Sequence, residues 1–141
     1  MNAGVLTKAV CAVLLVGSIG CEKIAQSQEK STDLVIHLHE QMNADEAAAI
    51  CANADEAFKN SGTAEDCIEL FTAVHRKLGD AGSTAALATQ IVASTKGTFI
   101  KTTFDTNYSN DMSVKEYVVW HESGGVYRLY GYNVNSKALL K

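Results

Sequence analysis

The four histidines are the first candidates for chemistry, because imidazole titrates near neutral pH and is the commonest metal ligand. His37 and His39 form a His-x-His pair. On a strand both rings would leave one face and could grip a metal, whereas on a helix they leave it about 200° apart. Leu34, Val35, Leu38 and Met42 recur at helical spacing through Asp33 to Met42, so the pair reads as two surface imidazoles and not a chelate. His75 stands beside Arg76 and Lys77 at the end of a second helical segment, where positive charge meets the negative end of the helix dipole, and capping accounts for it. His121 and Glu122 follow Trp120 at the end of a strand pattern and read as solvated. Acid–base work there would need a carboxylate facing the ring in a closed pocket, and spacing alone supplies neither.

Other site chemistries find less support. Ser, His and Asp are all present, but no Gly-x-Ser-x-Gly elbow exists, and Gly97, Gly124, Gly125 and Gly131 lack the strand–loop–helix setting of a phosphate loop. No catalytic residue, cofactor or metal is expected. The chain of 141 residues is 47% hydrophobic and 20% charged, with a net charge of -4. Those values fit one folded unit and give no electrostatic footprint for nucleic acid.

The cysteines speak to address. Ala9 to Gly20 is an uncharged run of 12 residues behind Lys8, too short for a transmembrane helix, which needs about 20. It closes on Ser18-Ile19-Gly20-Cys21, which resembles the bacterial lipobox, in which the cysteine is diacylated and becomes the new N-terminus. The expected organisation is a lipoprotein signal peptide over 1–20, a lipidated Cys21 with a flexible polar tether over 21–32, and a folded domain over 33–141. Such a tether would span about 18 Å. Glu22 after the cysteine favours the periplasmic face of the outer membrane. With Cys11 in the signal and Cys21 carrying lipid, Cys51 and Cys67 are left to pair in an oxidising envelope, and that loop closure stabilises by about 3 kcal/mol. In a bacterial protein the sequon-like Asn107-Tyr108-Ser109 is a chance match.

Segment Thr63 to Gly79 carries the strongest local pattern. Thr63 can cap, Glu65 and Asp66 are acidic in the first turn, His75, Arg76 and Lys77 are basic in the last, and Gly79 suits a stop. Ile68, Leu70, Phe71, Val74 and Leu78 give it an apolar face. The Ala-rich run Ala44 to Ala57 predicts another helix, with a break near Asn43. Beyond Gly79 the period falls to two: residues 98–108, 114–122 and 126–135 alternate as strands, separated by Ser109-Asn110-Asp111 and Ser123-Gly124-Gly125, and 84–94 is read as a fourth. Helices followed by an antiparallel meander predict an α+β domain with the helices on one face of a sheet of about four strands.

The stretch His75-Arg76-Lys77-Leu78-Gly79, the Thr-rich strand after Gly97 and the closing Gly131-Tyr132-Asn133-Val134-Asn135-Ser136 resemble small secreted or lipid-anchored bacterial proteins of unknown function. Those resemble the nuclear-transport-factor-2-like, cystatin-type α+β fold. The resemblance covers roughly residues 32–141, implies helices packed into a curved sheet, and brings no catalytic residues with it.

The functional expectation is a membrane-anchored envelope lipoprotein whose non-catalytic domain binds a protein partner or small ligand. The alternative is an enzyme using a pocket between sheet and helices, for which buried ionisable groups in that pocket would be the sign. Strict alternation along 126–135 puts Arg128, Tyr130 and Tyr132 on one face, with Tyr127 and Leu129 on the other. Arg128, Tyr130 and Tyr132 are therefore the candidate binding residues, since aromatics and Arg often carry binding energy.

Overall fold

A computed structural model describes residues 18–141, and the side chains from Gly20 onward. Most of the expected signal peptide therefore lies outside the described residues. Four helices come first, α1 (Ser18–Asn43), α2 (Ala47–Ala52), α3 (Glu56–Lys59) and α4 (Ala64–Leu78). Four strands follow, β1 (Ala81–Ser94), β2 (Gly97–Tyr108), β3 (Val114–Ser123) and β4 (Val126–Asn135), and a 3-10 turn, Lys137–Leu140, closes the chain. The strands form one open antiparallel sheet in the order β1-β2-β3-β4. This is the α+β arrangement expected from the change of period at Gly79.

Helix α4 forms as its sequence dictates. The Thr63 hydroxyl accepts from the Asp66 amide at 3.1 Å while the Asp66 carboxylate accepts from the Thr63 amide at 2.8 Å, a reciprocal cap of two otherwise orphaned donors. At its other end Gly79 has φ 77°, and a Cβ there would meet the Ser109 hydroxyl at 1.9 Å, so the chain turns into β1 only with glycine. Phe71, Val74 and Leu78 are buried against the sheet, while Ile68 is partly exposed. The expected Ala-rich helix is split in two: α2 ends at Asn53, and Asp55 caps α3 by accepting from the Ala57 amide. A disulfide joins Cys51 of α2 to Cys67 of α4.

One expectation is overturned at the N-terminal side. Residues 21–32 are not a flexible tether but the first half of α1. No Gly or Pro interrupts the chain between Cys21 and Asn43, and the second half of the segment docks. Ser31 is buried, the Gln28 side chain accepts from Thr89 at 3.1 Å, and the Lys30 ammonium lies 5.0 Å from the centre of the Tyr127 ring. The packed body thus starts before residue 33.

The core lies between the helices and one sheet face. Val35, Leu38 and Met42 from α1 and Ile50 from α2 meet Ile100, Phe104, Val114, Val118 and Leu129 from the strands. On β3, Val114, Glu116, Val118 and Trp120 all point inward, as alternation requires. On β4 alternation fails. Val119 pairs with Gly131 but Trp120 with Leu129, which leaves Tyr130 as an extra, bulged residue. A one-residue insertion flips every side chain beyond it, so Tyr132 and Val134 join Tyr127 and Leu129 on the core side.

Candidate functional site

The buried polar groups converge on Glu116, whose side chain is 0% exposed. Its Oε1 lies 2.9 Å from His39 Nε2, and its Oε2 accepts from the Tyr108 hydroxyl at 2.8 Å and the Tyr132 hydroxyl at 2.5 Å. Burial pushes the Glu116 pKa up, but hydrogen bonds from His39, Thr106 and Tyr132 outweigh it and hold the carboxyl below its ordinary range. An ionised carboxylate only accepts, so His39 presents Nε2–H to it. Burial and the charge of Glu116 push both tyrosines upward, so they stay protonated as donors. Both carboxylate oxygens are occupied by side chains of the chain itself. The arrangement ties α1 to β2, β3 and β4.

His39 is therefore not a surface imidazole, as the sequence suggested, but lies in the core, while His37 faces solvent and pairs loosely with Glu40 at 3.7 Å. The helical reading does keep the two rings apart. Tyr132 likewise leaves the candidate binding set. Its hydroxyl belongs to Glu116 and its ring lies 5.1 Å from that of Phe71, because the bulge at Tyr130 turned it inward.

The other two histidines each bridge two acceptors. His121 Nδ1 lies 2.7 Å from Asp55 Oδ2 and Nε2 lies 2.7 Å from the Lys96 carbonyl. A carbonyl and a carboxylate both only accept, so the bridge needs both ring N–H groups and hence the imidazolium. The Asp55 hydrogen bond and the Lys96 carbonyl raise the His121 pKa, with burial opposing them. Burial raises Asp55, but its bonds with His121 and the Ala57 amide prevail and hold it low. The ring also stacks on Phe99 at 4.6 Å. Far from being solvated, His121 fastens the β1–β2 turn to the cap of α3. His75 is held at 2.7 Å by Asp80 and at 2.8 Å by Asp45; the Asp80 bond is the main cause of its raised pKa. It joins the α1–α2 turn to the start of β1, beyond the dipole role expected of it.

The other sheet face is open. Arg128 and Tyr130 do lie among its exposed residues, but Arg128 is held at 3.3 Å by the Asn53 carbonyl. Beside Tyr130 runs a shallow groove of about 300 Å³ that crosses all four strands, with Val92, Phe99, Tyr117, Val119 and Tyr130 around Lys101. Tyr117 is 42% and Tyr130 39% exposed, large aromatic surfaces for a solvated sheet. Elsewhere on the sheet Lys115 pairs with Asp105 at 2.7 Å, and the Glu122 carboxylate accepts from the Gly125 amide at 2.8 Å. Lys101 has no ion-pair partner among the described residues. Alternation pointed to Tyr130, whereas Lys101 and Tyr117 were missed. The signal for them was the outward phase of β2 and β3, which puts Phe99, Lys101, Tyr117 and Val119 together once the register is known.

A buried polar centre beneath the helices and an open aromatic sheet face are the two features that mark this small α+β domain. Among the described residues no helix is long and apolar enough to cross a membrane, and no group of three or more His, Cys, Asp or Glu is placed to hold a metal. The chain belongs to the DUF4019 family, described as proteins of unknown function, whose profile matches residues 37–132. No curated protein matches it.

Proposed function

We propose that the protein is a lipid-anchored module of the bacterial envelope that binds a partner protein, without catalysis, through the open face of its sheet. Lys101 carries this reading, as a cation with no ion-pair partner set among Phe99, Tyr117, Val119 and Tyr130. A groove of that make-up fits a segment in which a carboxylate sits between apolar side chains. It disfavours a second copy seated about a two-fold axis near the groove, which would bring Lys101 close to itself. A binding role is favoured over the enzyme alternative by Glu116 and His39, the ionisable pair of the core, which bond each other and two tyrosines and leave no oxygen for a substrate.

The address rests on Cys21 and Cys51–Cys67. A disulfide suits an oxidising compartment, and Cys21 is an unpaired cysteine in the second turn of α1. Acylated there, the protein would stand off the membrane on a helical stalk, about 15 Å long from Cys21 to Ser31. The helix layer over an antiparallel sheet also supports the nuclear-transport-factor-2-like resemblance.

A photo-crosslinking side chain at Tyr117, with one at Leu140 as control, tests the surface in cells. The expected result is one discrete adduct from position 117 alone, lost in Lys101→Glu, with the crosslink mapping to a partner segment that carries acidic and apolar residues. Adducts from both positions, insensitivity to Lys101→Glu, or crosslinks to a second copy overturn it. For the anchor, Cys21→Ser should abolish labelling by a palmitate analogue and release the protein from membranes.

A further inference from the structure

A second recess, on the opposite side of the sheet from Lys101, lies where α1 and α2 meet β3 and β4. It measures about 120 Å³, with Leu34, Leu38, Ile50 and Leu129 as apolar lining and Tyr127 and Trp120 as aromatic lining. Trp120 is 5% exposed, and its Nε1–H is buried without a hydrogen-bond partner. Buried donors are almost always satisfied, so an unpaired indole N–H in the lining of a cleft marks a place for an acceptor. The Gln41 and Asn53 amides and the His37 imidazole also line the recess, and no carboxylate or ammonium does. An apolar cavity of about 150 Å³ is known to accept benzene, so a single ring enters this recess of about 120 Å³ only as the lining gives.

We propose that this cleft binds a small neutral aromatic compound carrying one carbonyl acceptor, with the ring against Leu38, Ile50 and Leu129 and the carbonyl accepting from Trp120 Nε1–H. Entry runs between Leu34 and Tyr127, both only half-buried and so able to shift. The Gln41 and Asn53 amides suit a neutral polar group, and no carboxylate lines the cleft to pair with a cation. The site is independent of the Lys101 groove, so either can fail without the other.

Trp120 is the chain's single tryptophan, so 15N-labelled protein gives one indole N–H resonance. Benzamide and toluene serve as probes with and without the acceptor. Benzamide is expected to shift that resonance downfield in a saturable way and to bind at least tenfold more tightly than toluene. Trp120→Phe should bring benzamide down to the toluene level, read from the backbone amides of Ile50 and Leu129. Leu38→Phe, which fills the cleft while keeping the indole, should abolish both. Overturning results are no saturable shift with benzamide, equal affinity for the two probes, or shifts at Ile50 and Leu129 with the indole resonance unmoved.

Discussion

His39 of α1 and Glu116 of β3, 77 residues apart in the chain, meet at 2.9 Å inside the core, and two tyrosine hydroxyls complete the shell around the carboxylate. A buried ionised group is tolerated only while its partners hold it. Glu116→Ala strands His39 Nε2 and both hydroxyls, and a loss of about 3 to 5 kcal/mol is expected in urea unfolding. Glu116→Gln keeps one acceptor and is expected to lose less. A Glu116→Ala protein as stable as wild type would show that the cluster does not hold α1 to the sheet.

Stability should depend on pH through His75 and His121. Both have folded pKa values raised above the ordinary value of about 6.5, by Asp80 and Asp55 respectively. A raised histidine contributes fully below about pH 6.5, and its contribution is lost as pH climbs through the raised value. Glu116 and Asp55, held low, work in the opposite sense, contributing above the ordinary carboxylate range and losing that contribution as acid titrates them. Urea midpoints are therefore expected to be higher at pH 6 than at pH 9 and to fall again in strong acid. In the double variant His75→Gln, His121→Gln the decline on the alkaline side should flatten. Unchanged pH dependence in that variant would rule out both bridges as its source.

The Cys51–Cys67 bond closes a short loop over α3, its ends 16 positions apart in the chain. The double Ser variant is expected to lose about 2 to 4 kcal/mol, measured by denaturant titration against the oxidised protein. Recovery of two free thiols from freshly isolated protein would contradict the pairing.

Local signals were legible in the sequence, and contacts between distant segments were not. Thr63, Asp66 and Gly79 carry the boundaries of α4 in their own chemistry, and the change of period marks the start of the sheet. The disulfide followed from counting cysteines. By contrast, the insertion at Tyr130 is silent in β4 itself and emerges only in the pairing with β3, so Tyr132 was placed on the wrong face. His121 read as solvated because its partner, Asp55, comes from α3, 66 residues away. The segment from Cys21 to Thr32 read as a tether because its composition is polar, although it has no helix breaker and half of it docks on the sheet. Arg128 and Tyr130 came from the alternation of β4 alone, which could not bring in Lys101 from β2 or Tyr117 from β3.

A charge-reversal pair at Lys101 tests the partner-binding face most directly. The probes are an acidic peptide alternating Phe and Glu and the same peptide with Lys in place of Glu, with binding measured by calorimetry. Wild type is expected to prefer the acidic peptide, Lys101→Glu to lose at least tenfold in affinity for it and to gain for the basic one, and Tyr130→Ala to weaken binding while leaving stability within about 1 kcal/mol. Equal affinities across the four peptide and protein combinations, or a Tyr130→Ala protein that unfolds, would contradict a docking surface on this face.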